Sequence, residues 1–228
     1  ADQLQINKAP LASAVRTGVS QFMGLLATRA RLTPEEEIGL VGELIFLDFL
    51  IKRIGPNAAV SSWQGPRSEE HDFTFKNLDF EVKTTSSEKR QHKISGLTQL
   101  VPRPGVPLAL VSIQVTPVGA TEGESLPSLI ARTRDLAKGE VTKVDSLLAD
   151  IGWDSGDADL YSSRWSLRST PRAYFVGPDF PVITPNALAE VIPNAALLSD
   201  ISYRVDVTNL DSFELPEPFA RFTETEVI

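Results

Sequence analysis

Cysteine is absent from all 228 residues, which excludes a disulfide framework and any thiolate metal site. That absence suits a reducing compartment, and a cytoplasmic location is the expectation. Only two histidines occur, His71 and His92, which argues against a histidine-rich zinc site. No run approaches the roughly 20 consecutive apolar residues of a membrane span, and no signal peptide is evident, so no membrane partner is expected. Internal repeats and a glycine-rich phosphate loop are also missing. Positive charge is in short supply: 22 Lys and Arg face 30 Asp and Glu, a net charge of −8, which argues mildly against a protein that coats nucleic acid nonspecifically. The chain starts at Ala1 rather than Met, which points to a processed or trimmed N-terminus.

What is present is enough apolar material, 42% of residues, for one sizeable globular domain with a small appendage. The scarce positive charge is clustered. Lys83, Lys89, Arg90, Lys93 and Arg103 face only Glu88 between residues 82 and 103, and Arg164, Arg168 and Arg172 have no acidic neighbour between 161 and 177. Ordinary solvated faces remain the alternative for each cluster.

Residues 11–31 carry Val15, Val19, Phe22, Met23 and Leu26 at helical spacing, predicting an amphipathic helix. Thr33-Pro34-Glu35-Glu36 then opens a second helix, with Thr33 as cap, Pro34 in the first turn and Glu36 completing a capping box. That helix is expected to run to about Ile54, before Gly55-Pro56. Gly39 and Gly42 inside it predict close approach to the sheet. Glu43 lies among Gly39, Leu40, Phe46 and Leu47 on the apolar face, so it either binds a cation, pairs with an arginine or reaches solvent at a rim. Residues 60–63 read as a strand, 96–100 as a short helix capped by Ser95, and 107–115 as a buried strand. Helices are expected over 126–137, 142–151 and 184–192, a strand pair over 160–168 and 172–176, and a strand over 201–210. Residues 214–228 read as an acidic, proline-containing tail that does not pack tightly.

The most informative stretch is His71-Asp72-Phe73-Thr74-Phe75-Lys76-Asn77-Leu78-Asp79-Phe80-Glu81-Val82-Lys83, read as two short strands around a tight turn. Strand alternation puts Glu81 and Lys83 on one side and Phe80 and Val82 in the core, with Asp72 across the hairpin. Two carboxylates and a lysine then converge, which is equipment for holding a divalent cation and activating a water beside it. Of all the lysines, only Lys83 has an acidic residue two positions earlier. A surface salt bridge between Glu81 and Lys83 is the competing reading.

Asp72…Glu81-Val82-Lys83 resembles the PD-(D/E)XK motif of the restriction-endonuclease-like superfamily. The runs from Gly39 to Leu44, Trp63 to Pro66, His71 to Phe73, Glu81 to Thr85 and His92 to Leu100 resemble one family of PD-(D/E)XK proteins found in bacterial restriction and phage-defence gene clusters. The likeness is strongest over residues 34–100 and continues more weakly through most of the chain. Two departures stand out: His71 occupies the position where the superfamily often has proline, and members of that family tend to have additional sequence before the first helix.

The resemblance implies an α/β fold, with a mixed central sheet flanked by helices and further α/β elements C-terminal to it. The implied segments are 1–32 as an N-terminal helical segment, 33–116 as the nuclease-like core, 117–213 as an elaboration and 214–228 as the tail. It also implies hydrolysis of DNA phosphodiesters with Mg²⁺, for which Mn²⁺ substitutes. Asp72, Glu81 and the Val82 carbonyl would hold the metal, Glu43 would support it directly or through water, Lys83 would position or help deprotonate the water or stabilise the transition state, and Gln99 would orient the nucleophile or phosphate. Lys89, Arg90, His92 and Lys93, with Arg164 and Arg168, would hold the DNA backbone, while His71 is either a phosphate contact or a structural residue. Implied partners are DNA, further subunits of a restriction or defence complex, and a second copy in a homodimer. A noncatalytic DNA-binding or assembly subunit and a plain α/β ligand-binding domain stay open as other readings.

Overall fold

A computed structural model describes residues 31–65 and 71–224; the helix expected over residues 11–31 lies outside the described residues, apart from Arg31. The capping box forms as expected at the start of helix α1 (Pro34–Ile54): Thr33 Oγ1 accepts the Glu36 N–H, while the Glu36 carboxylate accepts the Thr33 N–H. Gly55, at φ 85°, breaks the path, and Pro56 opens a new helix, α2 (Pro56–Ser62). Residues 60–63 are therefore not a strand. Proline at the first helical turn suits renewed helix, and only Trp63 bridges extended chain, pairing with Phe73.

The hairpin is present. Strand β1 (Phe73–Thr74) pairs antiparallel with β2 (Asp79–Thr85), with Phe73 opposite Phe80. After β3 (Gln91–Ser95) comes β4 (Leu108–Pro117), which pairs parallel with β2. A short β5 (Glu124–Ser125), helices α3 (Leu126–Ala137) and α4 (Val141–Ile151), and the long β6 (Arg164–Phe175) follow. Helix α5 (Pro185–Val191) and β7 (Ser202–Asp206) complete the main elements. The five-stranded sheet runs β1-β2-β4-β6-β5, and β3 pairs with β7 in a separate two-stranded sheet. This is the mixed sheet flanked by helices expected of a restriction-endonuclease-like core.

The strand pair expected over 160–176 is one strand. Its register on β4 jumps from Arg172 opposite Ser112 to Ser169 opposite Gln114, so Thr170 and Pro171 form a bulge. Proline has no N–H for a ladder, and a bulge is where a strand tolerates it. Residues 96–100 form a turn rather than a helix, because Ser95 is still extended, opposite Ser202, and Gly96 follows at φ 92°.

Strand β4 is buried on both faces, which accounts for its continuous apolar run. Ala109, Val111, Ile113 and Val115 join the core under α1, while Leu108 and Leu110 join a second core with Ile94, Tyr174 and Val205. The first core centres on Phe46 of α1, whose ring meets Phe73 at 5.0 Å and Phe80 at 5.1 Å. Residues 214–224 of the expected loose tail are packed here as well. Phe222 lies 4.8 Å from Phe46 and Phe219 4.9 Å from Phe80, and Arg53 clamps the segment through Glu217 at 3.0 Å. Composition hid two aromatic anchors within an acidic stretch.

Of the two helix glycines, only Gly42 is explained by close approach. A Cβ there would sit 1.8 Å from Thr84 Oγ1 of β2, whereas one at Gly39 would meet nothing within 4 Å. Gly42→Ala is expected to cost about 1–3 kcal/mol in urea unfolding through overpacking, more than the roughly 1 kcal/mol gained from helix propensity. A variant as stable as the parent would mean that α1 and β2 can separate freely.

Candidate active site

The site forms along β2 beside the residue that leads into two-residue β1, where β2 continues beyond its pairing with β1. Asp72, immediately before β1, extends the ladder with its side chain, its Oδ2 accepting the Val82 N–H at 2.8 Å. The Asp72 carbonyl accepts the Gln64 N–H at 2.9 Å, tying the same residue to the end of α2. Glu81 and Lys83 leave β2 on the face opposite Phe80 and Val82, and Lys83 Nζ lies 2.6 Å from Glu81 Oε1. Glu43 joins them from α1, held by the Trp63 indole N–H at 2.8 Å. Three carboxyl groups and one ammonium are thus gathered from α1, the β1 flank and β2.

Burial is the main cause of what happens to their acidity. It raises Glu43 most, Asp72 adds repulsion, and the Trp63 hydrogen bond and Lys83 only partly offset this, leaving Glu43 at about 8. Glu81 also stands at about 8, pushed up by burial and then by Asp72, with Lys83 pulling it back. Asp72 is raised by burial against the pull of Lys83 and the Val82 N–H. For Lys83, burial opposes the charge, but Glu81, Asp72 and Glu43 together outweigh it and the pKa rises. Lys83 is therefore held as an ammonium among these carboxyl groups.

Among the described residues, no three acidic or histidine side chains stand ready-made around a metal position. The donor set is nevertheless of the right kind. Its ligating atoms are hard oxygens, and it holds more carboxyl groups than cations, a shortage that a divalent ion would fill. Mg²⁺ keeps several waters and needs only one or two carboxylates. Asp72, Glu81, the Val82 carbonyl and Glu43 are the groups that could hold it.

The cluster opens onto a groove of about 610 Å³ bounded by the start of α1, the end of β2 and the face of β3. Lys83, Lys93 and Arg204 line it; Glu81 does not and lies beneath, 2% exposed. Other expected contacts are placed elsewhere. Arg90 is 2% exposed, its guanidinium spent on the Ser112 and Thr170 carbonyls and the Ser112 and Ser169 hydroxyls, so it is structural rather than a backbone clamp. His92 is equally buried, although it is among the residues that line the groove. Arg164 donates to the Glu122 and Gly123 carbonyls, and Arg168 to Thr116 Oγ1. These two, like Lys89, do not line the groove. Gln99 sits in the turn after β3 with its Oε1 accepting the Ser95 N–H, not on a helix beside the cluster. His71 takes the structural alternative, bridging Asp79 at 3.2 Å and the Val101 carbonyl at 3.1 Å, while Arg103 grips the same Asp79 carboxylate.

Sequence reasoning assigned no role to Trp63, Ser112 or Arg204. For Trp63 a signal existed, since an indole needs an acceptor when buried and Glu43 needed a donor. The other two come into play only through strand pairing.

Comparison with known proteins agrees with this geometry. The family model described as "Putative PD-(D/E)XK family member, (DUF4420)" matches residues 3–208. No curated protein and no solved structure gives a significant match. The chain, with Asp72, Glu81 and Lys83 at the edge of its mixed sheet, belongs to this PD-(D/E)XK-like family.

Proposed function

We propose that the protein is a Mg²⁺-dependent DNA endonuclease of a bacterial restriction or phage-defence system. The observation that carries the reading is the convergence of Asp72, Lys83 and Glu43 on one groove, with Glu81 paired to Lys83 beneath it. Bound Mg²⁺, or Mn²⁺ in its place, would supply an acidified water and offset the charge of the scissile phosphate. Asp72, Glu81 and the Val82 carbonyl would hold it, with Glu43 acting through water. Lys83 is a preorganised positive charge for the phosphate as negative charge builds up on it. Lys93 and Arg204 are direct cross-strand partners on β3 and β7, and both line the groove. Like charges so placed repel, and a backbone phosphate between them would relieve that repulsion.

A second reading, a noncatalytic DNA-binding or assembly subunit, draws support from the net charge of −8 and the few groove cations. The same scarcity suggests that further subunits, or a second copy, share the grip on DNA. Supercoiled plasmid incubated with the protein should be nicked with Mg²⁺ and left intact with a chelator. Plasmid left intact with either Mg²⁺ or Mn²⁺, yet bound without metal, would instead establish the noncatalytic reading.

A further inference from the structure

One buried nitrogen beside the cluster has no partner: Nδ1 of His92. A buried polar atom left unpaired costs about 1–3 kcal/mol, and His92 is one of the residues that line the groove, so its unpaired nitrogen points to a ligand there. The rest of the ring is tightly held. Its Nε2 lies 2.7 Å from Ser112 Oγ, and Ser112 is the register partner of Lys83 between β2 and β4. Ser112 Oγ already accepts an N–H from Arg90 at 3.0 Å. Arg90 is fixed in turn, its other nitrogen donating to Ser169 Oγ and to the Thr170 carbonyl of the β6 bulge, each at 2.7 Å.

Proton bookkeeping along this relay fixes the tautomer. If Nε2 carried the proton, Ser112 Oγ would receive two N–H groups and its own buried proton would have no acceptor. If the serine donates to Nε2, both Ser112 Oγ and Nε2 are satisfied, and the imidazole proton sits on Nδ1, the one group of the relay left without a partner. Burial first, then Lys83 and Arg90, pull the ring down to about 3, so it is neutral at any working pH.

We infer that His92, locked as the Nδ1–H tautomer by Arg90 and Ser112, is a hydrogen-bond donor to a phosphate oxygen of nucleic acid bound beside Lys83. The inference rests on reading the groove as a nucleic-acid site, and it assigns Arg90 and Ser112 as positioning residues. A neutral donor adds a directional contact without adding positive charge to a wall already crowded by Lys83, Lys93 and Arg204.

Histidine-labelled protein gives two ring systems only, since His71 and His92 are the sole histidines. Nitrogen-15 NMR should show His92 protonated on Nδ1, with that proton shifting when inorganic phosphate and then a short DNA duplex are added. Ser112→Ala should release the tautomer into a mixture. Asparagine places its amide nitrogen near the Nδ1 position and glutamine near Nε2. His92→Asn should therefore keep duplex affinity near the parent, and His92→Gln should lose about tenfold. An Nε2–H tautomer, an Nδ1 proton that neither phosphate nor duplex moves, or the reverse ranking of the two variants overturns the inference. The two readings fail separately. Plasmid nicking with His92 in the Nε2–H form removes the donor and keeps the nuclease; a shifting Nδ1 proton without any nicking does the opposite.

Discussion

Alanine at Lys83 is expected to lower Mg²⁺-dependent nicking by roughly 10²–10³-fold, the usual scale for removing one preorganised charge from a reacting centre. Two effects add. The ammonium that would face the phosphate disappears, and Glu81 loses the partner 2.6 Å away that holds its pKa down. Glu81 is 2% exposed and would respond by keeping its proton, which weakens it as a metal ligand. The fold should tolerate the change, because a protonated carboxyl is far cheaper to bury than a bare charge. Initial nicking rates beside thermal unfolding separate the two effects. Asp72→Ala should lose activity on a similar scale by removing a ligand. If both variants nick at the parental rate, the chemistry lies elsewhere on the molecule.

Metal affinity should be steep in pH. Glu43 and Glu81 stand at about 8 in the metal-free protein, so a cation has to displace their protons below that pH. Mn²⁺ affinity is expected to rise about tenfold per pH unit for each proton displaced, from pH 6 towards 8, and then to flatten. Calorimetry in buffers of different ionisation heat counts those protons. The linkage to stability has a definite sign: both acids hold a proton more tightly folded than at their ordinary value of 4.5. Their contribution is intact below pH 4.5 and is lost as pH rises through 8, so added metal should raise the melting temperature more at pH 8 than at pH 6. A flat affinity profile would mean that neither carboxyl is a ligand.

The chain itself displayed the centre but not its surroundings. Thr33 to Glu36 and Asp72 to Lys83 are local patterns, in which spacing alone sets caps, faces and the hairpin, and they came out as read. The helix read for residues 126–137 was equally local. What sequence could not display depends on pairing over long separations. The run from Thr84 to Lys93 looks too polar for a core, yet His92 and Ile94 alternate inward on β3, His92 against Ser112 and Ile94 into the core with Leu108, Leu110 and Tyr174, while β3 pairs with β7, over a hundred residues later. Period-two spacing was visible there, but hydrophilic composition outweighed it. Arg90 looked like a phosphate clamp because nothing local shows that a bulge at Thr170 will expose a carbonyl in need of a donor. Gly55-Pro56 was rightly taken as a stop, and only tertiary packing makes it also a start.

The pairing of β3 with β7 also sets an order of events on the ribosome. Glu43, Asp72, Glu81 and Lys83 are all synthesised early, but the strand that fixes His92 and brings Arg204 opposite Lys93 ends at residue 206. Closing so long a loop is slow compared with forming the hairpin. A chain interrupted before β7 carries every charged group of the cluster but lacks Arg204 of the groove. On the proposed reading of the groove as a DNA site, translation past residue 206 becomes a condition for gripping DNA.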